Sequence, residues 1–79
     1  MYDNYEQITA INYQQVIKKI DYFITNLSSN HTLSGSDYQK LIDIGQWGRD
    51  NKHLTKEQKW YVINTIEENQ EQLDPFKIY

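Results

Sequence analysis

The chain has 79 residues, a formal net charge of −3 and no cysteine. This length allows one domain at most, and a domain of this size encloses only shallow pockets. The absence of cysteine excludes a disulfide scaffold, a thiolate zinc site and a cysteine nucleophile. The acidic charge disfavours a general nucleic-acid binder, because such proteins gain affinity from cation contacts to phosphates.

The sequence shows no segment typical of a membrane or secreted protein. Its longest apolar run, Trp60-Tyr61-Val62-Ile63, is far shorter than the roughly 20 residues of a membrane-spanning helix. The first residues, MYDNYEQ, lack the basic and apolar segments of a signal peptide. We therefore expect a cytoplasmic protein with no membrane partner. The abundance of Asn, Ile, Lys, Tyr and Gln is typical of an AT-rich genome, such as that of a low-GC bacterium or one of its phages.

Hydrophobic spacing predicts a first helix over residues 12–27. Asn12 can cap its start, and Gln15 occupies the capping-box position. The apolar side chains recur at the i, i+3, i+4, i+7 spacing of one helix face, and they are Tyr13, Val16, Ile17, Ile20, Phe23, Ile24 and Leu27. Residues 4–10 fall off this face, so we expect them to form a separate short helical arm.

A second helix is predicted over residues 35–47, with Ser34 or Ser36 as its cap. Glycine inside a helix costs about 1 kcal/mol relative to alanine, so we expect Gly45 to allow a neighbouring helix to approach closely. We expect Gly48 to end the helix in the left-handed conformation. The predicted core face consists of Tyr38, Leu41, Ile42 and Gly45.

A third helix is predicted over residues 55–73, with Thr55 and Gln58 as a capping box and Pro75 as its stop. Its predicted core face is Val62, Ile63, Ile66 and Leu73. The tail at residues 75–79 is apolar, so we expect it to fold back. The sequence thus predicts an all-α fold over residues 1–79, a small antiparallel three-helix bundle with a short N-terminal helical arm and a packed C-terminal tail.

No set of residues in the sequence predicts catalysis, a cofactor or a metal site. The second helix separates His31 from His53 by roughly 20 Å, so we expect both to be solvated loop residues that share no site. The glycines near residue 48 lie within or at the end of a helix, whereas a phosphate loop opens one. We therefore expect no enzyme and no small-molecule substrate. The acidic cluster of the third helix is expected to be a solvated face, and it comprises Glu67, Glu68, Glu71 and Asp74.

The tryptophans fall outside the predicted core faces and indicate a protein partner. At 100° per residue, Trp47 projects about 180° from Tyr38, and Trp60 about 120° from the centre of its own core face. Large aromatics outside a core are typical of interfaces. We predict that the protein is an inhibitor or adaptor of a phage or other mobile element, and that it binds another protein through Trp47, Trp60, Lys56 and Glu67. Two alternatives stay open: the chain ends cover the indoles, or the partner is a second copy.

A basic patch supports a different function, a small nucleic-acid-binding module. The patch lies at a junction that resembles a helix-turn-helix. Its predicted phosphate contacts are Arg49, Lys52, Lys56 and Lys59. Salt dependence separates the two functions, because affinity that rests on phosphate contacts falls steeply with added salt.

Overall fold

The computed structural model describes the backbone of residues 5–78 and the side chains of residues 5–76. The predicted all-α bundle is confirmed. The helices are α1 (Tyr5–Thr9), α2 (Tyr13–Thr25), α3 (Gly35–Asn51), α4 (Lys56–Glu68) and α5 (Pro75–Ile78), with a 3-10 turn at Gln70–Gln72. None of these helices combines the length and the apolar character that crossing a membrane requires.

Helix α2 is the centre of the core, as its spacing predicts. Its start is fixed by Asn12, whose side chain accepts a hydrogen bond from the backbone N–H of Gln14 at 2.8 Å. Its end comes at Thr25, two residues before the predicted boundary. Side chains of the predicted face that are buried are Val16, Ile17, Ile20, Phe23 and Leu27, and those that pack partly buried against them are Tyr13 and Ile24.

The contacts between helices fix their directions. Gly45 of α3 faces Ile20 of α2, and Gly48 faces Ile17, so the two helices are antiparallel. At the start of α4, Lys59 Nζ donates to the carbonyl oxygen of Thr9, just before α2, at 3.2 Å. Just after the ends of α2 and α4, residues 27 and 73 form an antiparallel bridge. Helix α4 therefore runs in the same direction as α2.

The end of α3 differs from the prediction. Ser34 is the cap, accepting from the backbone N–H of Asp37 at 3.1 Å, and the helix continues to Asn51. Gly48 lies inside the helix and is buried. The left-handed residue is Lys52, with φ of 53°. The expectation for Gly48 was wrong because this glycine serves close packing between helices and not helix termination.

The buried face of α3 is also rotated from the predicted one. Ile42, expected in the core, is 37% exposed, whereas Ile44, which is not part of the predicted core face, is 7% exposed. Leu41 and Gly45 are buried, as predicted. The rotation arises because α3 packs against both α2 and α4, and its buried face points between these two neighbours.

Helix α4 starts as predicted and ends early. Both hydrogen bonds of the capping box between Thr55 and Gln58 are present. The helix ends at Glu68 and not at Leu73, which is extended and bridges to Leu27. Two long-range bonds of 2.8 Å flank this bridge: Ser28 N–H to the carbonyl of Gln72, and Asp74 N–H to that of Asn26. Pairing with a distant segment therefore replaces the last predicted turns, and the acidic cluster does not lie on one continuous helix.

The two ends of the described chain differ in how they pack. The predicted arm is α1, which packs against α4 and buries Ile8 completely; residue 4 lies outside the described residues. At the other end Leu73 packs against the core, whereas Phe76 is 89% exposed. The expectation that the tail folds back is therefore wrong for Phe76, whereas Leu73 packs against the core as predicted for the third helix. The side chains of residues 77–79, also part of that expectation, lie outside the described residues.

Candidate functional site

Both tryptophans lie outside the hydrophobic core. Trp47 is 39% exposed and Trp60 is 43% exposed. The core closes without them, through ten buried side chains: Val16, Ile17, Ile20, Phe23, Leu27, Leu33, Leu41, Ile44, Leu54 and Val62. In the described part of the chain, the ends therefore do not enclose either indole, and each keeps about two fifths of its surface for other contacts.

Trp60 lies on one face of α4 together with two of the predicted contact residues. At 100° per residue, Lys56, Trp60 and Glu67 project within about 40° of one another. We call these three residues the Trp60 face. Tyr61 projects about 100° away, and its hydroxyl bonds to Asp37 of α3. The Trp60 face is therefore the flank of α4 that is turned away from α3.

A groove between α2 and α4 adjoins the Trp60 face. It has a volume of about 400 Å³. Within this groove, the side chain of Ile63 is almost completely buried, whereas that of Tyr22 is 52% exposed. The lining residues are Gln15, Lys18, Lys19, Tyr22, Ile63, Ile66, Glu67 and Gln70. We call this the α2–α4 groove, and it shares Glu67 with the Trp60 face.

Charges of both signs border the apolar part of the α2–α4 groove. Lys18 and Lys19 come from α2, and Glu67 comes from α4. Within the described residues, Lys18, Lys19 and Glu67 form no ion pair, so these three groove charges remain available to a partner. An apolar centre with a mixed-charge rim is the usual composition of a protein-binding surface.

Trp47 occupies a different side of the bundle. It lies seven residues after Lys40, and the two side chains therefore project from α3 within about 20° of each other. Lys40 places its ammonium 4.4 Å from the ring centre of Tyr61 on α4. Trp47 is thus on the α4-facing flank of α3, where its ring contacts His53 at 6.2 Å between centroids.

Tyr61, which the sequence places off the core face, is held within the bundle. Its hydroxyl donates to the carboxylate of Asp37 at 2.7 Å, and its ring packs against the core. Burial raises the pKa of the Tyr61 phenol above 10.0, and the hydrogen bond to Asp37 raises it further. Tyr22 of α2, by contrast, remains 52% exposed.

The predicted nucleic-acid contacts do not act as one free set. Arg49 is paired with Asp21, and Lys59 is half-buried and donates to the carbonyl of Thr9. Arg49 and Lys52 line a second groove, between α2 and α3, together with Lys18. Lys18 is not among the residues predicted from the sequence; its position next to the core residue Ile17 on the N-terminal half of α2 was the available signal.

The two histidines lie on either side of α3, as predicted. This helix has 17 residues, about 25 Å at 1.5 Å per residue. His53 is exposed, but His31 is partly buried and stacks on Tyr38 with 6.1 Å between centroids, so the expectation of a solvated loop residue was wrong for His31. In the described part of the chain, no three metal-binding side chains come together.

Comparison with known proteins adds no family or relative. No model of a protein family, no curated protein and no solved structure matches the chain.

Proposed function

We propose that the protein acts without catalysis, by binding another protein through the Trp60 face and the α2–α4 groove. Trp47 forms a second contact on the α4-facing flank of α3. The observation that carries this proposal is the position of both tryptophans outside the core, at 39% and 43% exposure. Aromatic side chains outside a core are the residues on which protein interfaces most often depend.

The size of the exposed aromatic surface supports this role. A tryptophan side chain presents up to about 250 Å², so the exposed part of Trp60 amounts to roughly 100 Å². Burying it in an interface would contribute about 2.5 kcal/mol at 25 cal/mol per Å². The neighbouring Lys56 and Glu67 place charges of opposite sign beside the indole, which favours a partner with a matched pair of charges.

A domain of this size with exposed aromatic side chains suits an inhibitor or adaptor that occupies a surface of a larger protein. The AT-rich residue usage favours an origin in a phage or other mobile element of a low-GC bacterium. We expect the protein to bind this partner in the cytoplasm.

The test combines partner capture with matched variants. The tagged full chain is used to purify a partner from the source cells, and its affinity for the purified variants is then measured by calorimetry. Trp60→Ala is expected to weaken binding at least about 30-fold, the effect of an interface hot spot of about 2 kcal/mol. Ile42→Ala is the control, since Ile42 is a similarly exposed apolar residue, at 37%, on α3.

Three outcomes separate the possible partners. If Trp60→Ala and Trp47→Ala both leave the affinity unchanged while circular dichroism shows intact helices, the assignment is refuted. If sedimentation equilibrium of the pure chain shows a dimer that Trp60→Ala dissociates, the partner is a second copy. If Ile42→Ala weakens binding as much as Trp60→Ala, the surface has been misplaced.

Nucleic-acid binding is the second candidate, and one observation favours it. Arg49 and Lys52 come together with Lys18 in one groove. Because Arg49 and Lys59 already have partners within the protein, we rank this function below protein binding. A binder using four phosphate contacts should show a log–log salt slope of about −3 to −4. The absence of any gel shift with DNA or RNA at low salt would exclude it.

A further inference from the structure

The groove between α2 and α3 concentrates positive charge in an otherwise acidic protein. Its volume is about 450 Å³, and no Asp or Glu is among its lining residues. It holds three of the eight Lys and Arg residues of a chain whose net charge is −3. The lining residues are Tyr13, Gln14, Gln15, Ile17, Lys18, Arg49 and Lys52; we call this the α2–α3 groove.

Close packing of the two helices brings these charges together. The groove joins the first turns of α2 to the end of α3, where buried Gly48 allows Ile17 and Leu54 to approach the α3 backbone. Arg49 donates through Nη2 to Asp21 of α2. This contact orients the guanidinium, whose other N–H groups remain for a ligand. Asp21 neutralises one of the three positive charges, so two remain uncompensated.

A favourable interaction with a helix dipole does not explain the positions of all three cations. Arg49 lies in the last turn of α3, where a cation favours the helix dipole. Lys18 lies in the first half of α2, where the dipole gives a cation no such advantage. Lys52 is the C-cap of α3, where the dipole also favours a cation, but its φ of 53° is a conformation that favours glycine or asparagine over lysine. An uncharged glycine or asparagine at position 52 would end the helix with less backbone strain, whereas lysine adds a cation to the groove.

We infer that the α2–α3 groove binds a phosphate-bearing anion through Lys18, Arg49 and Lys52, with the half-buried Tyr13 as its apolar wall. Guanidinium groups bind phosphate oxygens through paired N–H donors, and lysine ammonium groups add charge that tolerates varied geometry. A free nucleotide and a nucleic-acid backbone both carry this chemistry. The site is separate from the Trp60 face, although Gln15 and Lys18 line both the α2–α3 groove and the α2–α4 groove. Phosphate binding does not depend on the proposed protein binding.

The test is a ¹H–¹⁵N NMR titration of the full chain at low salt with pyrophosphate, with ATP and with a short oligothymidine. We expect saturating shifts centred on the amides of residues 13–18 and 48–52. Lys18→Gln should weaken binding about threefold to fivefold, the effect of losing roughly one exposed ion pair. Lys19→Gln removes the same charge one residue away but outside the groove, so it should change the affinity much less.

A variant at Lys52 separates binding from folding. Lys52→Gly suits the left-handed backbone, so the fold should be at least as stable, while binding should weaken as it does for Lys18→Gln. Trp60→Ala should leave the titration unchanged, because Trp60 does not line the α2–α3 groove, and this result keeps the phosphate site distinguishable from the Trp60 face.

The arms of the titration identify the source of the phosphate. Binding of pyrophosphate and ATP without the oligothymidine assigns the groove to a free phosphate compound. Binding of the oligothymidine with a steep salt dependence assigns it to a nucleic-acid backbone. The proposal is overturned if none of the three compounds gives saturating shifts, or if Lys18→Gln and Lys19→Gln weaken binding equally.

Discussion

Among the three glycines, Gly48 is the one at which an added Cβ would lie closest to neighbouring side chains. A Cβ at this position would lie 2.9 Å from Leu54 Cδ2 and 3.0 Å from Ile17 Cδ1. Both side chains are buried, at 2% and 7% exposure, so neither can move without disturbing the core. At Gly45, by contrast, a Cβ would lie 3.6 Å from Arg49 and 3.7 Å from Ile20, which is ordinary van der Waals contact.

Because of these distances, we expect the two substitutions to change the free energy of unfolding in opposite directions. Alanine is favoured over glycine inside a helix by about 1 kcal/mol. At Gly48 the forced displacement of the core costs about 1–3 kcal/mol, so Gly48→Ala should lower the free energy of unfolding by about 1 kcal/mol on balance. Gly45→Ala meets no such clash and should raise it by about 0.5–1 kcal/mol.

Urea unfolding followed by circular dichroism measures both changes in free energy. In a domain of this size, 1 kcal/mol corresponds to a shift of roughly 4–8 °C in Tm, so thermal unfolding gives an independent check. Gly35→Ala is a further control, because nothing lies within 4 Å of its Cβ position. If Gly48→Ala proves as stable as Gly45→Ala, the close approach of α3 to Ile17 and Leu54 is wrong.

Three further predictions concern the α4 cap, the α1 arm and the half-buried Tyr61. Thr55→Ala removes the side-chain acceptor of the α4 capping box and should cost about 1 kcal/mol in urea unfolding; Ser36→Ala, inside α3, should cost clearly less. Ile8→Ala empties a fully buried position of α1 and should cost about 2–4 kcal/mol; a cost below about 0.5 kcal/mol would show that the arm is not docked on α4. Burial, followed by the bond to Asp37, raises the pKa of Tyr61 above 10.0, so its contribution to stability is complete below pH 10 and is lost as pH rises through the folded-state pKa. As pH rises above 10.0, the wild type should therefore lose more stability than Tyr61→Phe, and equal losses would contradict the assigned environment.

The starts of the three long helices could be predicted because caps are local. Asn12, Ser34 and Thr55 each accept a hydrogen bond from a backbone N–H two or three residues ahead, so a short stretch of sequence contains the whole signal. The core face of α2 was equally predictable, since its apolar side chains follow one helical period without a gap. The bundle and the arm follow from these two kinds of local signal.

The remaining features depended on which elements of the fold pack against one another. Leu73 could leave the helical pattern because Leu27 and its neighbours supply backbone partners from a segment 46 residues earlier. The rotation of α3, which buries Ile44 and exposes Ile42, results from its packing against both α2 and α4. Likewise, Lys18 and Arg49 lie far apart in the sequence. They line the same groove only because Gly48 allows α2 and α3 to pack closely.

The sequence by itself determined the helical class, the helix starts and the surplus of aromatic side chains, because these depend on composition and on neighbours within one or two turns. Only the tertiary structure decided that Tyr61 is held by Asp37 while Trp47 and Trp60 stay partly exposed. The exposure of a side chain depends on the elements that pack over it, and periodicity within a single helix does not contain that information.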